Sequence, residues 1–299
     1  MRWSLAMHLS SIVLWVACSS GPEGVQRFDP GKPDLAQQER LAKAERLYRA
    51  NDPAFAADRE VLAADPVTAF WLTRMLIRDI VVVREGRDPD REFERAAASV
   101  ANPVEVRAMT QLVALGGAAM PCIRRDLLES RQGPLRELGV EACARIGVPA
   151  LPDLAEMQQS SDANQVRGAV RALAAMDPTE ASLAQLRPAA QHPDFTVRAA
   201  AVRGLVRGSI ADVALVRSML AGDADSFVRR TAASALATVP EARNAEALVS
   251  YLRRCLAESD AAGEKVAQDA LQRLSATRGP RTADAWTEWA RTWTPQSGR

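Results

Sequence analysis

Side chains that commonly act as nucleophiles, general bases or metal ligands are few in this chain. The candidates are two histidines and four cysteines: His8, His192, Cys18, Cys122, Cys143 and Cys255. A catalytic triad or a zinc site needs several such groups at defined spacings, and neither a phosphate-binding glycine loop nor paired metal carboxylates accompany them. The sequence therefore predicts no catalytic residue, no metal site and no cofactor.

The first eighteen residues have the layout of an export signal. Arg2 precedes a short apolar stretch that ends in small residues, and no acid occurs before Glu23. The stretch is interrupted by His8 and is shorter than the ~20 residues that span a bilayer. Two alternatives are a secretory signal cut after Ser20 and a permanent anchor helix.

Residues 16–18 (VAC) resemble a bacterial lipobox, in which the signal is cut before a lipidated cysteine, although Trp15 departs from that motif. The resemblance implies a signal peptide over residues 1–17 and a lipid on Cys18. It also implies an exported protein anchored in the bacterial cell envelope, with an outer-membrane or periplasmic location favoured over free secretion. Residues 18–33 contain several Gly and Pro residues and predict a flexible tether.

Length and charge restrict the class of protein. The chain has 299 residues, of which 47% are hydrophobic and 25% charged, and these values are typical of a folded protein. The formal net charge is +1. Because nucleic-acid binding usually relies on a strong positive field, no nucleic-acid partner is expected.

A repeat of about 31 residues organises the middle of the chain. Val-Arg or Leu-Arg pairs place arginines 29, 31, 31 and 31 residues apart, at Arg107, Arg136, Arg167, Arg198 and Arg229. A second motif that begins at Gly116 recurs at Gly147, again 31 residues later. Gly116 and Gly147 are placed to end one helix, and the proline that follows each is placed in the first turn of the next. Asp194 and Asp225 are placed to cap the helix with the arginine. The pattern predicts stacked pairs of antiparallel helices.

This combination of an acidic turn, Val-Arg, an Ala/Leu helix, a glycine and a Pro-led helix resembles the HEAT repeat. The most similar subtype is the short bacterial one that also occurs in phycobilisome lyases. The resemblance covers about residues 100–278. It implies an all-α protein with an armadillo-type α-solenoid, or α/α superhelix, of about six stacked helix pairs and helical caps at both ends.

The resemblance also implies a ladder in which each arginine bonds a turn aspartate, often in the adjacent repeat. The matching residues are Asp162, Arg167, Asp194, Arg198, Asp223, Asp225 and Arg229. Arg107 and Arg136 lack the aspartate, because Asn102 and Gly133 occupy its position.

The ends of the array have different sequences. Residues 34–95 predict an N-terminal helical capping region, residues 96–278 the HEAT array, and residues 279–299 a Trp-rich capping helix and tail. Open-ended stacks must cover their terminal apolar faces. Trp286, Trp289 and Trp293 lie on one helix face, and this face predicts either a cap or an aromatic surface that binds a glycan or a protein.

A disulfide between Cys122 and Cys143 is one alternative, because an exported protein can form disulfides. The repeat aligns Cys122 with Asp153, on the polar side of a helix, and Cys143 with Leu205, on the core side. This placement favours free thiols. Cys255 has no partner in either case.

Together these features predict a non-enzymatic, membrane-tethered scaffold whose solenoid surface binds another protein in the cell envelope. The predicted contact residues lie on the exposed face of the second helix of each unit: Arg171, Arg203, Arg207 and Arg230. Alternatives are an envelope protein that binds a glycan or small ligand through the tryptophans, and a lyase-like HEAT enzyme.

Overall fold

The described parts of the chain fold into fifteen helices. The structure is a computed structural model that describes residues 29–85, 102–276 and 282–294, and within these ranges it has no β-strand. The helices are α1 (Leu35–Arg49), α2 (Phe55–Ala63), α3 (Pro66–Glu85), α4 (Pro103–Ala114), α5 (Gly116–Leu128), α6 (Gly133–Ile146), α7 (Leu151–Gln158), α8 (Ala163–Ala175), α9 (Glu180–Ala189), α10 (Phe195–Leu205), α11 (Ile210–Gly222), α12 (Ser226–Leu236), α13 (Ala242–Glu258), α14 (Ala261–Ser275) and α15 (Ala283–Thr292).

Six helix pairs stack side by side in chain order. They are α3–α4, α5–α6, α7–α8, α9–α10, α11–α12 and α13–α14. The first helices form one layer and the second helices another, and each second helix contacts the second helix of the next pair. Helices α1 and α2 pack on α3, and α15 packs on α13. The predicted all-α solenoid of about six helix pairs is confirmed.

Helix α3 lies within the predicted N-terminal capping region, and in the structure it is the first helix of the first pair. It packs on α4 and also contacts α5. Phe70, Leu76 and Ile80 are buried on it. The buried carboxylate of Asp79 accepts hydrogen bonds from the Arg49 guanidinium on α1 at 2.7 and 3.0 Å. Since a lone buried charge is destabilising, α1 compensates the charge that α3 carries into the interior.

Helix α10 shows how the repeat sequence produces the second layer. The Asp194 side chain caps the helix by accepting a hydrogen bond from the Thr196 amide at 2.8 Å. Val197, Ala201 and Leu205 are fully buried, so the apolar stripe predicted from their spacing is the core face. Small side chains on this helix let its neighbours approach closely.

Gly204 marks the tightest of these approaches. A Cβ atom added to it would lie 2.9 Å from the Cα atom of Ala174 on α8 and 2.5 Å from Cδ1 of Leu186 on α9. Both distances are shorter than a normal van der Waals contact. The backbones of α8 and α10 therefore pack at a separation that only glycine permits here.

The cysteines with described positions are buried free thiols. Cys143 lies in the core, as its alignment with Leu205 predicted. Cys122 is buried too, so its predicted place on a polar side is wrong. The reason is that α3 packs directly on Met120–Cys122 and removes this segment from solvent. Burial raises the pKa of the Cys143 thiol to about 12, which keeps the thiol protonated and unreactive.

Candidate interaction surface

The aspartates of the predicted ladder lie in the turns between the helices of a pair, and the arginines lie near the start of the second helix. Arg198 on α10 donates from Nε and Nη2 to Oδ2 and Oδ1 of Asp223, each at 2.8 Å. Asp223 lies in the turn of the next pair, so this contact joins adjacent repeats. The side chains are only 15% and 7% exposed. A bidentate ion pair that is shielded from water is stronger than an exposed one.

The neighbouring contacts of the same kind are longer. Arg167 Nη1 lies 3.8 Å from Asp194 Oδ2, and Arg229 Nη2 lies 4.0 Å from Glu258 Oε2. Glu258 was absent from the prediction, which assigned only aspartates to the ladder. Arg229 also donates to the main-chain carbonyl of Asp223 in its own turn, at 2.8 Å. The arginine thus closes its own turn and reaches the acid of the next one.

Most of the predicted aspartates cap helices. Asp162, Asp194 and Asp225 accept hydrogen bonds from the amides of Asn164, Thr196 and Phe227. Asp223 instead accepts from the Asp225 amide at 2.9 Å, in addition to Arg198. Burial alone would raise the pKa of Asp223, but these hydrogen bonds outweigh it and hold the pKa below its usual range. The ladder carboxylate is therefore ionised at neutral pH.

Arg107 and Arg136, which lack a matching aspartate, have other partners. The Arg107 guanidinium lies 4.9 Å from the ring centroid of Tyr48 on α1, within the range of a cation–π contact. Arg136 donates from Nη1 to the Ser130 carbonyl at 2.8 Å. At this end of the stack the repeat arginines therefore contact α1 and their own turn rather than an acid of the next repeat.

The second layer carries an excess of positive charge over three consecutive helices. Helices α8, α10 and α12 contain six arginines and no aspartate or glutamate. Arg167, Arg198 and Arg229 take part in the contacts between turns. Successive residues are about 100° apart around a helix axis. The other three arginines, Arg171, Arg203 and Arg230, therefore lie on the side of the helix away from the core. Each is within about 60° of the direction opposite the buried valine that begins the apolar stripe of its helix. They therefore project from the solvent side of the layer.

The predicted contact arginines differ in their partners. Arg203 is exposed, and it makes no ion pair with the residues that the structure describes. Arg171 pairs with Glu137 on α6, and Arg230 Nη1 lies 4.0 Å from Asp260 Oδ2. Arg207 lies in the turn after α10, where it donates to the Ala174 carbonyl at 3.2 Å. Arg207 thus covers the end of α8, and the other three arginines share one surface.

Two exposed phenylalanines extend this surface, and sequence reasoning missed them. Phe195 begins α10 and Phe227 lies in the first turn of α12; they are 42% and 39% exposed. Their rings meet edge to face, with centroids 6.0 Å apart. Phe195 precedes its repeat valine by two residues and Phe227 by one, so the repeat alignment does not superimpose them. We call the surface formed by Phe195, Phe227, Arg171, Arg203 and Arg230 the open face.

The three tryptophans of α15 differ in burial, so they differ in which of the two predicted roles they fit. Trp286 is fully buried, and its ring meets that of Trp289 edge to face at 5.2 Å. Trp289 and Trp293 are half-buried against the core, with ring centroids 5.1 Å apart. Trp286 has the position of a cap residue, and only the outer two rings keep a surface that a ligand would reach.

The polar groups that could do chemistry are engaged in structure. His192 accepts a hydrogen bond at Nδ1 from the Asp194 amide at 3.0 Å. An open groove of about 570 Å³ between α9 and α11 contains Arg187 and Asp212. Arg187 Nε donates to Asp212 at 2.7 Å, and this contact lowers the pKa of Asp212 to about 2. Within the described ranges, no three His, Cys, Asp or Glu side chains are grouped to hold a metal ion.

No single described helix combines the length and hydropathy of a membrane span. The pair α4 and α5 does so only jointly, across a bend of 111°. Cys18 and the predicted signal peptide lie outside the described residues.

Comparison with known proteins identifies the same repeat. The family model for HEAT repeats matches residues 123–206, 167–237 and 183–275, which together span half of the chain. A search of the curated proteins finds no match.

Two solved structures are similar to the chain over most of its length. An engineered protein is 18% identical with a TM-score of 0.40, and the match covers 78% of this chain and 97% of that one. The complex of CpcE and CpcF of phycocyanin lyase from Nostoc sp. PCC7120 is 19% identical with a TM-score of 0.35, and the match covers 90% of this chain and 99% of that one.

Proposed function

Because the chain belongs to the HEAT-repeat family, we propose that it is a non-enzymatic scaffold that binds another protein through its solenoid surface. The observation that carries the proposal is the open face, on which phenylalanine and arginine side chains that solvent reaches lie on neighbouring helix pairs. Phenylalanine and arginine are both enriched at protein interfaces. Helix pairs that contact only their neighbours build an extended surface for such binding.

A non-enzymatic role is supported by the state of the groups that would otherwise act as bases or nucleophiles. His192 is a turn residue, and Cys122, Cys143 and Cys255 are buried. The aspartates at the turns cap helices or bind arginines. The polar atoms of these groups are used to hold the fold, and they do not converge on a pocket.

We also propose that the scaffold is tethered to a membrane of the bacterial cell envelope through a lipid on Cys18. Support comes from the sequence of residues 1–18, with its cation, apolar stretch and cysteine. Intact mass of the membrane-extracted protein tests the tether. Cleavage before Cys18 with added acyl mass is expected, and Cys18→Ser should release the protein from the membrane fraction. An unmodified full-length mass, or membrane retention of the variant, would contradict this part of the proposal.

Binding through the open face is tested by a photo-crosslinking residue placed at Ser234. Ser234 is exposed on α12, and it occupies the repeat position that Arg203 occupies on α10. The matched control is Ser250, exposed on α13 in the first layer. A discrete protein adduct in intact cells from position 234 and none from position 250 is expected. Equal adducts from both positions, or none from either, would refute a scaffold that binds through this face.

A further inference from the structure

We propose that the open face binds a short acidic segment of the partner protein that also carries an apolar side chain. This inference rests on the proposed scaffold function and specifies the chemistry of the partner. It is carried by the charge of three adjacent helices, by the weakness of the ion pairs that Arg171 and Arg230 make, and by the pair of phenylalanine rings.

The positive charge of this surface is not neutralised by its own helices. Helices α8, α10 and α12 contribute six arginines and no acid. The most shielded members of this set, Arg198 and Arg229, have side chains that are 15% and 9% exposed, and they are committed to turn carbonyls and to acids of the next pair. Arg203 is exposed without an ion-pair partner among the described residues. A carboxylate from another molecule would supply the missing charge.

The ion pairs that Arg171 and Arg230 make within the chain can be exchanged for contacts with a partner. Glu137, which pairs with Arg171, is itself 60% exposed. The Arg230–Asp260 contact is at 4.0 Å and engages only one guanidinium nitrogen. The Arg171–Glu137 pair is solvent-accessible, and pairs of this kind contribute little to stability because water solvates both ions. The Arg230–Asp260 pair is more shielded, with side chains 28% and 21% exposed, but it is held by a single long contact. Replacing these ion pairs with contacts to a partner's carboxylates therefore costs little free energy.

The two phenylalanines supply an apolar contact at one end of the charged surface. Their rings touch each other and yet remain about two-fifths exposed. The acids nearest in sequence, Asp194 and Asp225, are committed to helix caps through Oδ1. A partner side chain that covers the rings would bury apolar area next to the arginines, which is the usual composition of an interface centre.

The spacing of the helices sets the length of the segment. Packed helices lie about 8–10 Å apart, so the path from Arg171 on α8 to Arg230 on α12 crosses about 16–20 Å. An extended peptide advances about 3.3 Å per residue. A segment of about six residues is therefore long enough to span the three arginines, and a longer side chain or one or two further residues would reach the phenylalanine pair.

A labelled peptide tests the inference on the purified chain without its signal sequence. The probe is a fluorescein-labelled peptide of glutamates and leucines, and the control peptide has lysine in place of each glutamate. Binding is followed by fluorescence anisotropy. The glutamate peptide should bind and the lysine peptide should not. The affinity should fall as salt rises from about 0.05 M to about 0.5 M, because salt screens exposed charges.

Variants locate the site. Arg203→Glu should weaken binding of the glutamate peptide about tenfold, since it replaces an attraction by a repulsion. Phe227→Ser should weaken it as well, with less change in the salt dependence. The matched control is Arg243→Glu, which reverses an exposed arginine on α13 in the first layer and should leave the affinity unchanged. Unchanged urea unfolding midpoints show that each variant is folded.

Several results would overturn the inference. These are no binding of the glutamate peptide, equal loss with Arg203→Glu and Arg243→Glu, or equally tight binding of a single-stranded DNA oligonucleotide, which would indicate a general anion surface. The scaffold proposal is decided separately by the adduct at position 234. If that adduct forms with a segment that lacks acids, the scaffold stands and the acidic partner is wrong.

Discussion

Replacement of Gly204 by alanine probes the close packing on which the second layer depends. In an isolated helix this change is favourable by about 0.5–1 kcal/mol, because glycine loses more backbone freedom on folding. In this protein the added methyl group would lie 2.9 Å from the Cα atom of Ala174 and 3.2 Å from its Cβ atom. Since a Cα atom belongs to the backbone, a change of side-chain rotamer does not relieve the contact, and α8 must move.

The expected loss follows from these opposing effects. Overpacking of a well-packed core typically costs about 1–3 kcal/mol, and the shift of α8 also disturbs its contacts with α6 and α9. With the propensity gain subtracted, Gly204→Ala should lower the free energy of unfolding by about 2 kcal/mol. For a domain of this size that corresponds to a fall of about 4–8 °C in the thermal midpoint.

Urea unfolding followed by circular dichroism provides the measurement. Gly222→Ala is the matched control, because Gly222 ends α11 and an added Cβ atom there meets nothing within 4 Å. The control should leave the midpoint unchanged or raise it slightly. If Gly204→Ala is as stable as the wild type, the two helices do not pack at the observed separation and the explanation is wrong.

Three further predictions concern the ladder, the groove and the C-terminal cap. Asp223→Asn should lower the free energy of unfolding by about 2 kcal/mol, since it leaves the partly buried Arg198 without its carboxylate; a double-mutant cycle with Arg198→Ala should show coupling, and additive effects would contradict the ladder. Hydrogen bonds from Arg187 lower the pKa of Asp212 to about 2, so the stabilisation is complete above about pH 4 and is lost as the pH falls towards 2. Urea midpoints should decline over that range in the wild type and less steeply in Asp212→Asn, and identical slopes would refute this origin. Trp286→Ala should cost about 3–5 kcal/mol because the side chain is fully buried, and a cost below about 1 kcal/mol would show that α15 does not seal the stack.

Much of the architecture could be predicted from local patterns. The 31-residue period, the glycines at helix ends and the aspartate caps depend on backbone geometry within a few residues. The stripe of Val197, Ala201 and Leu205 is buried because residues at this spacing share one helix face, and one unit cannot bury such a face alone. In the same way, the spacing of the tryptophans predicted that they share one helix, and in the structure this helix is α15.

The interaction surface could be predicted only in part. Arg171, Arg203 and Arg230 were assigned to the solvent side because they lie away from the apolar stripe; Arg203 is exposed, and Arg171 and Arg230 are half-buried. Phe195 and Phe227 were missed because they occupy different repeat positions, and their rings meet only through the packing of α10 on α12. Glu258 replaces the expected aspartate, because its longer side chain reaches Arg229 from the end of α13. Cys122 was misplaced because its burial comes from α3, which lies outside the recognised repeat.

The amino-acid sequence by itself determines the helices, their caps and the fact that they must stack, since hydrophobic periodicity and backbone preference act over short distances. The tertiary structure alone decides which polar groups of different repeats meet and how much water reaches them. Arg198 and Arg203 are the same residue type on one helix, five positions apart. One is held by the carboxylate of the next turn, and the other remains exposed on the open face, because the neighbouring helix pair covers only the first.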